Sequence, residues 1–399
     1  MSRLVLVAIG NEILKGFTLN SNIHFLSTLL TKEGFEVETH ITVSDHPDEI
    51  IKAFKMGDII ISTGGLGPTL DDLTKEIAAK FMDKKLIYSE QVACDIKARF
   101  GDIPSIKNQA MMPLDSHYLK NSIGTAFGIC MENNGKHLIL MPGVFREMIL
   151  MAQNELIPYL KTVIKIKKKN QVEFHLTHKI ESNIDPFLRE PSDKFPAVEM
   201  GIYPHRAQLT VRFSSTDSLD LISTLFIDEF ETFIFDSEDG SIEMALHDLM
   251  IKKGLTLSTA ESCTGGTISS KITRISGASD YFLGGVVSYT NDVKMKVLGV
   301  NPATLRDFGA VSHECVKQMA SGARSLCSSD YAIAISGIAG PNGGSEEKPV
   351  GLVYFAIASE SGCEAFTVPI KIRTDREVVI ELTSNYVLGA LYRRVKFGQ

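Results

Sequence analysis

The chain has 399 residues, of which 44% are hydrophobic and 22% are charged, and its formal net charge is -7. This length is too great for a single compact core, and the composition is that of a globular protein, so fibrous and disordered classes are excluded. The net negative charge provides no overall basic field of the kind that attracts nucleic acid. We therefore expect small-molecule partners.

The cysteines and the start of the chain both bear on cellular location. The six cysteines are scattered and form no CxxC pair, which argues against a zinc site or a disulfide framework and favours a reducing compartment. The apolar run from Leu4 to Ile9 is too short for a secretion signal and far too short to span a bilayer. We predict a cytoplasmic protein that does not bind membranes.

Short runs rich in β-branched residues predict strands in the first part of the chain. A segment whose apolar residues have helical spacing separates the first two of these runs. Such alternation is typical of a parallel sheet covered by helices. We predict a first α/β domain over residues 1–168. Its predicted strands are 3–10, 37–43, 58–63 and 137–142.

A similar rhythm returns after residue 245 and predicts a second parallel-sheet α/β domain over residues 241–399. Apolar residues at helical spacing predict a terminal core helix over residues 375–396. The predicted strands of this domain are 255–260, 284–290, 330–336 and 351–359.

Between these domains, alternating and helical patterns predict a small α+β module over residues 169–240. Five lysines precede it within residues 161–169. They are compatible with a nucleic-acid patch and with a solvated hinge or edge strand, and we favour the second interpretation. The predicted fold class is α/β, with two parallel-sheet α/β domains joined by a small α+β module.

A glycine loop, STGGLGPTLDDLT, directly follows the predicted strand 58–63. Gly64, Gly65 and Gly67 would therefore lie at the carboxyl end of a parallel strand, where open α/β sheets bind ligands. A glycine-rich turn that binds nothing is the alternative.

Three side chains in this loop have a predicted role. Thr69 and Asp72 have the spacing of a capping box, which predicts a helix that begins at Thr69 and offers N–H groups to a phosphate. Carboxylates beside a phosphate normally need a divalent cation between them. Asp71 and Asp72 therefore either hold a metal or cap the helix.

A second glycine loop, TAESCTGGTISSKI, follows the predicted strand 255–260 in the same way. Ser262 lies at the junction of strand and helix, where a nucleophile would be exposed and close to helix N–H donors. Cys263 is a rival nucleophile. In a purely structural interpretation, Ser262 and Thr264 cap the helix and Cys263 is a small core residue.

Downstream of this loop, Tyr289 ends a predicted strand and Lys294 lies in a short predicted helix. Serine and lysine form a workable catalytic pair if the amine is neutral. Neutrality near pH 7 requires that the lysine pKa fall by about three units, at a cost of roughly 4 kcal/mol, which only a tight pocket can impose. The glycine-rich segment 335–351 also follows a predicted strand and could wrap a phosphate or ribose with its N–H groups.

Four motifs in the first 150 residues together resemble the amino-terminal domain of the CinA family, itself similar to molybdopterin-binding domains. They are GNEILKG followed by Asn22, then STGGLGPTLDDLT, NQAMMP and MPGVFREM. The resemblance implies the ADP-ribose pyrophosphatase of some members, which depends on a divalent metal such as Mg²⁺, with the glycine loop and its aspartates lining the site. Asn11 and Phe145 stand where many relatives carry Asp and Pro, and Asn11 cannot supply the charge of an aspartate ligand.

Five further segments closely resemble the carboxyl-terminal CinA domain, the nicotinamide-nucleotide amidase. They are AESCTGG, GGVVSYTNDVK, GAVSHECV, ISGIAGPNGGSEEKPVG and TDRE. The resemblance implies hydrolysis of the carboxamide of nicotinamide mononucleotide, without metal or cofactor. It assigns the nucleophile to Ser262 and the activating amine to Lys294, with Tyr289 assisting proton transfer or orienting the lysine.

The same resemblance implies a set of substrate-binding residues, with the planar donor fork of the arginine suited to the 5′-phosphate. This set is Thr264, Gly265, Gly266, Ser336, Gly337 and Arg376. Glu261 is interpreted as structural, and His313, an alternative base, as a loop histidine. The family association suggests a homodimer. A non-catalytic pterin- or nucleotide-binding scaffold is the alternative function.

Overall fold

Two units make up the chain in the computed structural model, Met1–Lys168 and Lys169–Gln399. The structure describes residues 3–67, 72–166, 169–192, 194–369 and 375–398. Among these residues, none of the helices combines the length and the apolar character that crossing a bilayer requires.

A six-stranded sheet forms the centre of the first unit. The strands of this unit are β1 (Leu4–Ile9), β2 (Val37–Val43), β3 (Ile59–Thr63), β4 (Leu86–Tyr88), β5 (Met111–Pro113), β6 (His117–Leu119), β7 (Gly128–Asn133) and β8 (Lys136–Met141). The sheet order is β2-β1-β3-β8-β7-β6. The first four strands are parallel to one another, β7 is antiparallel to β8, and β6 is antiparallel to β7. Strands β4 and β5 form a separate antiparallel pair.

Helices cover both faces of this sheet. They are α1 (Asn11–Leu14), α2 (Ser21–Lys32), α3 (Pro47–Phe54), α4 (Thr74–Phe81), α5 (Glu90–Phe100), α6 (Ile106–Gln109), α7 (Phe145–Met151) and α8 (Ile157–Val163), with a π-helical turn at Ala152–Leu156. Strand β1 is buried along its whole length because Leu4 and Leu6 pack on the face covered by α2, and Val5 and Val7 on the face covered by α3. The predicted helix-covered parallel sheet is confirmed.

The predicted lysine-rich segment is divided between the two units. Lys161 lies in the last turn of α8 and pairs with Glu33. Lys169 in the second unit pairs with Glu199. Lys167 and Lys168 lie outside the residues that the structure describes.

A four-stranded antiparallel sheet begins the second unit. Its elements are β9 (Asn170–Thr177), α9 (Glu181–Ser192), β10 (Glu199–His205), β11 (Gln208–Ser215), α10 (Asp220–Phe230) and β12 (Ile234–Phe235), with a 3₁₀ turn at Glu231–Phe233. The strand order is β10-β11-β9-β12. This βαββαβ arrangement, with the first strand inserted between the last two, is the ferredoxin-like topology.

A five-stranded mixed sheet follows in the same unit. Its strands are β13 (Leu257–Glu261), β14 (Phe282–Val287), β15 (Tyr331–Gly337), β16 (Val353–Ser359) and β17 (Gly362–Thr367). The order is β14-β13-β15-β16-β17, with the first three strands parallel. The expectation that segment 351–359 continues the parallel sheet is wrong: β16 is antiparallel to β15, because a loop without a helix joins them and turns the chain back.

Helices again lie on both faces of the five-stranded sheet. They are α11 (Ile242–Lys253), α12 (Thr267–Thr273), α13 (Asn291–Leu298), α14 (Pro302–Asp307), α15 (His313–Cys327) and α16 (Arg376–Phe397), with a 3₁₀ turn at Ala278–Asp280. Val387 and Leu391 of α16 belong to the core on one face of this sheet. Helix α16 also approaches the four-stranded sheet, since a Cβ at Gly389 would overlap Oγ1 of Thr177. The predicted terminal core helix is confirmed.

Candidate active site

The turn after β13 places Ser262 at the carboxyl end of a central parallel strand. The Ser262 N–H donates to the carbonyl of Ile335 at 3.0 Å, which ties the turn to the neighbouring strand β15. Gly265 and Gly266 have φ values of +62° and +98°, in the left-handed region that side chains disfavour, so the turn depends on both glycines. The Ser262 side chain is buried rather than exposed.

Lys294 lies against the Ser262 hydroxyl. Its Nζ is 3.0 Å from Oγ of Ser262 and 2.5 Å from the carbonyl oxygen of Ser288. The Thr290 hydroxyl caps α13, so Lys294 falls in the first turns of a short helix and extends back toward the strand ends. Only 1% of Lys294 is exposed.

Burial also sets the charge state of this amine. It lowers the pKa of Lys294, and the nearby thiols of Cys315 and Cys263 offset only part of that shift. A lysine with a lowered pKa and a serine hydroxyl at hydrogen-bond distance meet the geometric requirement for a serine activated by an amine. The sequence predicted this pair from residues that are 32 positions apart.

The rival nucleophile has the opposite chemistry. Cys263 is buried, and burial raises the pKa of its thiol to about 12. A thiol reacts as the thiolate, so Cys263 is a poor nucleophile at neutral pH. Cys263 packs in the apolar core of the second unit, as the structural interpretation expected.

The helix N–H groups beside the nucleophile are already occupied. The buried carboxylate of Glu261 accepts the N–H groups of Gly266, Ile268 and Ser269 at distances of 3.0, 3.1 and 2.8 Å. The expectation that these donors are available near Ser262 is therefore wrong, because the Glu261 side chain binds them at the start of α12. The hydroxyl of Thr264 is buried and has no partner among the described residues.

Arg376 and Tyr289 meet at the surface. A guanidinium N–H of Arg376 donates to the Tyr289 hydroxyl at 3.1 Å, and another donates to the carbonyl of Gly340 at 3.0 Å. Arg376 is the first residue of α16 and is exposed, and Tyr289 is 60% exposed. The structure thus connects the loop before α13, the glycine-rich loop after β15 and the start of α16.

Ser336 and Gly337 end β15, the strand that accepts the Ser262 N–H. The Ser336 hydroxyl is buried and donates to the carbonyl of Ala310 at 2.7 Å, so it holds the loop before α15. His313 is the first residue of α15, so its interpretation as a loop histidine is wrong, and its Nε2 lies 3.2 Å from Oγ1 of Thr367.

The glycine loop of the first unit lies after β3, as predicted. The Gly64 N–H donates to the carbonyl of Met141, and a Cβ at Gly64 would overlap the Ile9 carbonyl, so the ends of β1, β3 and β8 meet at this glycine. Thr69 and Asp71 lie outside the described part of the chain. The carboxylate of Asp72 lies against Gly67.

The helix after this loop, α4, begins at Thr74. The Thr74 N–H donates to the carbonyl of Gly65 at 3.2 Å, and Thr69, the predicted start of the helix, lies outside the described residues. Lys75, which no sequence motif marked, is buried, and its Nζ donates to the Asn108 carbonyl at 2.7 Å. Burial lowers the pKa of Lys75.

The acidic, histidine and cysteine side chains bear on the predicted metal site. Over the described ranges, no group of three or more His, Cys, Asp or Glu side chains could hold a metal ion. Asn11 offers no charge, and its N–H donates to the carboxylate of Asp45 at 3.0 Å. Asp71 lies outside the described ranges, so the metal site predicted at Asp71 and Asp72 stays a prediction.

Comparison with known proteins follows the same division of the chain. Residues 5–162 match the model of a probable molybdopterin binding domain, and residues 239–395 match that of the CinA C-terminal domain. A protein of Caldicellulosiruptor saccharolyticus, named for competence and damage induction, is 36% identical and covers 98% of this chain and 98% of its own length. A CinA-like protein of Geotalea uraniireducens is 33% identical over 98% of this chain and 97% of its own.

Among solved structures, the competence/damage inducible protein CihA of Agrobacterium tumefaciens is 41% identical, with a TM-score of 0.36. The match covers 38% of this chain and 93% of that chain. Fold and site together define an α/β protein with a buried serine–lysine pair at the ends of parallel strands. On the similarity over its full length, the chain belongs to the CinA family.

Proposed function

We propose that the second unit hydrolyses the carboxamide of nicotinamide mononucleotide to the carboxylate and ammonia. The observation that carries the proposal is the 3.0 Å contact between Nζ of the buried Lys294 and Oγ of Ser262. The resemblance of five segments to the nicotinamide-nucleotide amidase domain supplies the substrate. An enzyme of this kind needs a nucleophile, a base and a binding site for the phosphate.

The reaction begins with neutral Lys294. Its Nζ lies within hydrogen-bond distance of the Ser288 carbonyl and of the Ser262 hydroxyl, so the neutral amine can donate to the carbonyl and accept the serine proton. Ser262 Oγ attacks the carboxamide carbon while its proton passes to Lys294. The resulting ammonium returns that proton to the departing NH₂ group, which leaves as ammonia. Lys294 then takes a proton from a water molecule while the water oxygen attacks the acyl carbon. The Lys294 ammonium gives that proton to the departing Ser262 Oγ, which restores the serine and the neutral amine.

The tetrahedral intermediate needs hydrogen-bond donors for its oxyanion. The N–H groups of Gly266, Ile268 and Ser269 are bound to Glu261 and cannot serve. We assign substrate contact instead to the Thr264 segment of the turn, whose buried hydroxyl has no partner among the described residues. Arg376, exposed at the mouth of the site, binds the 5′-phosphate with its planar fork of donors.

The direct test is incubation of the purified full-length chain with nicotinamide mononucleotide, followed by measurement of ammonia and of the acid product. We expect turnover without added metal, and none from Ser262→Ala. Binding of the nucleotide without turnover would contradict the proposal and would favour the non-catalytic pterin- or nucleotide-binding scaffold.

ADP-ribose cleavage by the first unit remains a prediction from family resemblance. It is supported by position, since the glycine loop lies where three strand ends meet and the Asn22 side chain donates to the Gly143 carbonyl at 2.8 Å. Dependence on a divalent metal and assembly as a homodimer are likewise predictions.

A further inference from the structure

A buried polar network lies directly beneath the nucleophile turn. The Ser269 hydroxyl donates to Oε1 of Glu261 at 2.6 Å and lies 2.8 Å from Oγ1 of Thr259. Glu261 and Thr259 are both completely buried. Among the described residues, four groups donate hydrogen bonds to the Glu261 carboxylate. They are the N–H groups of Gly266, Ile268 and Ser269 and the Ser269 hydroxyl.

Burial of a carboxylate is costly unless its oxygens are hydrogen-bonded, and a helix N-terminus is a favourable place for it. Here the carboxylate belongs to the residue immediately before the nucleophile. Its bonds to Gly266, Ile268 and Ser269 therefore close a ring of residues 261–269 in which Ser262 is fixed.

The main chain of Glu261 reaches the other member of the catalytic pair. Its carbonyl accepts the N–H of Ser288 at 2.7 Å, and the Ser288 carbonyl accepts from Lys294 Nζ. The Glu261 side chain thus holds the turn that carries the nucleophile. The Glu261 backbone carbonyl holds Ser288, whose own carbonyl orients the Lys294 amine.

The edge strand β14 is shaped to make room for this network. A Cβ at Gly285 would overlap both Oγ1 of Thr259 and Oγ of Ser269. Any larger residue there would displace one of the hydroxyls that support the carboxylate. The glycine is therefore explained by the network and not by its backbone angles.

We propose that Glu261, supported by Ser269 and Thr259, is a positioning residue that sets the distance and direction of Ser262 Oγ relative to Lys294. Glu261 touches neither the substrate nor the reacting atoms, and its role is to hold the turn that carries the nucleophile. The proposal rests on the proposed amidase function for its kinetic test, but the reactivity of Ser262 is a second, independent measure.

The experiment uses the full-length chain with Glu261→Gln and Ser269→Ala. Glutamine keeps the size of the side chain but turns an NH₂ group toward N–H donors, so the turn must shift. We expect kcat for nicotinamide mononucleotide to fall about a hundredfold in Glu261→Gln, as for a nucleophile displaced by about 1 Å, with KM changed less than about threefold. Ser269→Ala removes one hydrogen bond to a charged group and should cost about tenfold in kcat.

Thr273→Ala is the matched control. Thr273 lies on the same helix, and its exposed hydroxyl donates to the backbone carbonyls of Ser269 and Ser270, not to the Ser269 hydroxyl that binds Glu261. Its kcat should remain within about twofold of the parent value, since an exposed substitution of this kind has little effect.

Two readouts separate positioning from general stability. The rate at which a fluorophosphonate labels Ser262 should fall in parallel with kcat, measured well below each variant's unfolding temperature. The midpoint of the rise in kcat/KM with pH should stay at the value set by the pKa of Lys294, because the described hydrogen bonds of the Glu261 side chain do not involve the amine. A folded Glu261→Gln variant with parental kcat and labelling rate, or a shifted midpoint, would overturn the proposal.

Failure of the two proposals can be told apart. If the parent chain releases no ammonia but its Ser262 is labelled, the proposed substrate is wrong and the labelling rates still decide the role of Glu261. If Glu261→Gln does not fold, Ser269→Ala decides: parental labelling in that variant would refute the network, and a reduced rate would support it.

Discussion

The two glycine loops, one after β3 and one after β13, follow central strands in the parallel parts of two mixed sheets but differ in what surrounds them. Around the second loop, neighbouring strands and helices bring a buried serine and lysine to 3.0 Å. Around the first, the Gly64 N–H donates to the Met141 carbonyl and the Gln109 side chain donates to the Leu66 carbonyl, contacts that hold the backbone of the loop. A glycine loop therefore fixes where a ligand could bind, whereas the chemistry depends on side chains delivered by other elements.

The largest expected effect is loss of the nucleophile. Ser262→Ala should reduce ammonia release by about 10³-fold or more, because no covalent intermediate can form. Cys263→Ala is the matched control and should keep most of the activity, since burial raises the pKa of that thiol to about 12. Steady-state assays of ammonia release by both variants test this assignment. Loss of activity in Cys263→Ala alone would assign the nucleophile to Cys263.

Replacement of the base should be nearly as damaging, whether or not a positive charge is kept. Lys294→Arg leaves a guanidinium that cannot act as a base at any working pH, so it should be almost as inactive as Lys294→Ala. Comparison of kcat for the two variants tests this. Substantial turnover by Lys294→Arg would mean that Lys294 only attracts the substrate phosphate.

The pH dependence of activity follows from the lowered pKa of Lys294. Neutral amine is the active form, so kcat/KM should rise with pH and level off below the ordinary lysine pKa of about 10.4. A pH profile of the parent chain tests this. A rise that occurs only near the ordinary pKa would show that the amine is not perturbed.

The stability of the folded chain should depend on pH with the same sign as its activity. Between the lowered pKa of Lys294 and the ordinary value, the unfolded chain binds more protons at this lysine than the folded chain, so the lysine contribution to stability increases with pH. Lys294→Met should therefore be more stable than the parent near neutral pH, and the difference should shrink as the pH rises. Denaturant unfolding at several pH values measures it, and a difference independent of pH would contradict the shift.

Loss of Arg376 should have a smaller effect, and mainly on binding. Arg376→Ala should raise KM for the mononucleotide about tenfold or more, as expected for a lost charge-assisted contact, and should change KM for nicotinamide riboside much less. Its contact with Tyr289 gives a control: Tyr289→Phe removes the hydroxyl that accepts from Arg376 and keeps the guanidinium. Equal losses on both substrates would assign Arg376 a structural role.

The residue pattern alone left the second site open, because a glycine turn after a strand suits a capping serine as well as a nucleophile, and a lone lysine in a short helix is usually exposed. The resemblance of five segments to a known domain supplied the choice of Ser262 and Lys294, and the structure brings these two side chains to 3.0 Å. The sequence did not predict that Glu261 occupies the N–H groups of α12, because a carboxylate preceding a turn has no fixed direction until its partners are placed. Lys75 was missed since its burial depends on packing against a segment 33 residues away.

The smallest expected effect sharpens the contrast between the loops through the role of metal. Chelator should leave ammonia release by the full-length chain unchanged, since the serine–lysine pair needs no cation.

ADP-ribose cleavage, if the first loop supports it, should be weak and should disappear with chelator. Asn11→Asp should raise it several-fold, because the Asn11 N–H already contacts the carboxylate of Asp45 and a second carboxylate beside it favours a divalent cation. Asn134→Asp, which adds the same charge at the turn between β7 and β8, is the control and should change nothing. Chelator-sensitive ammonia release, or an equal gain from both aspartates, would remove the distinction between the two loops.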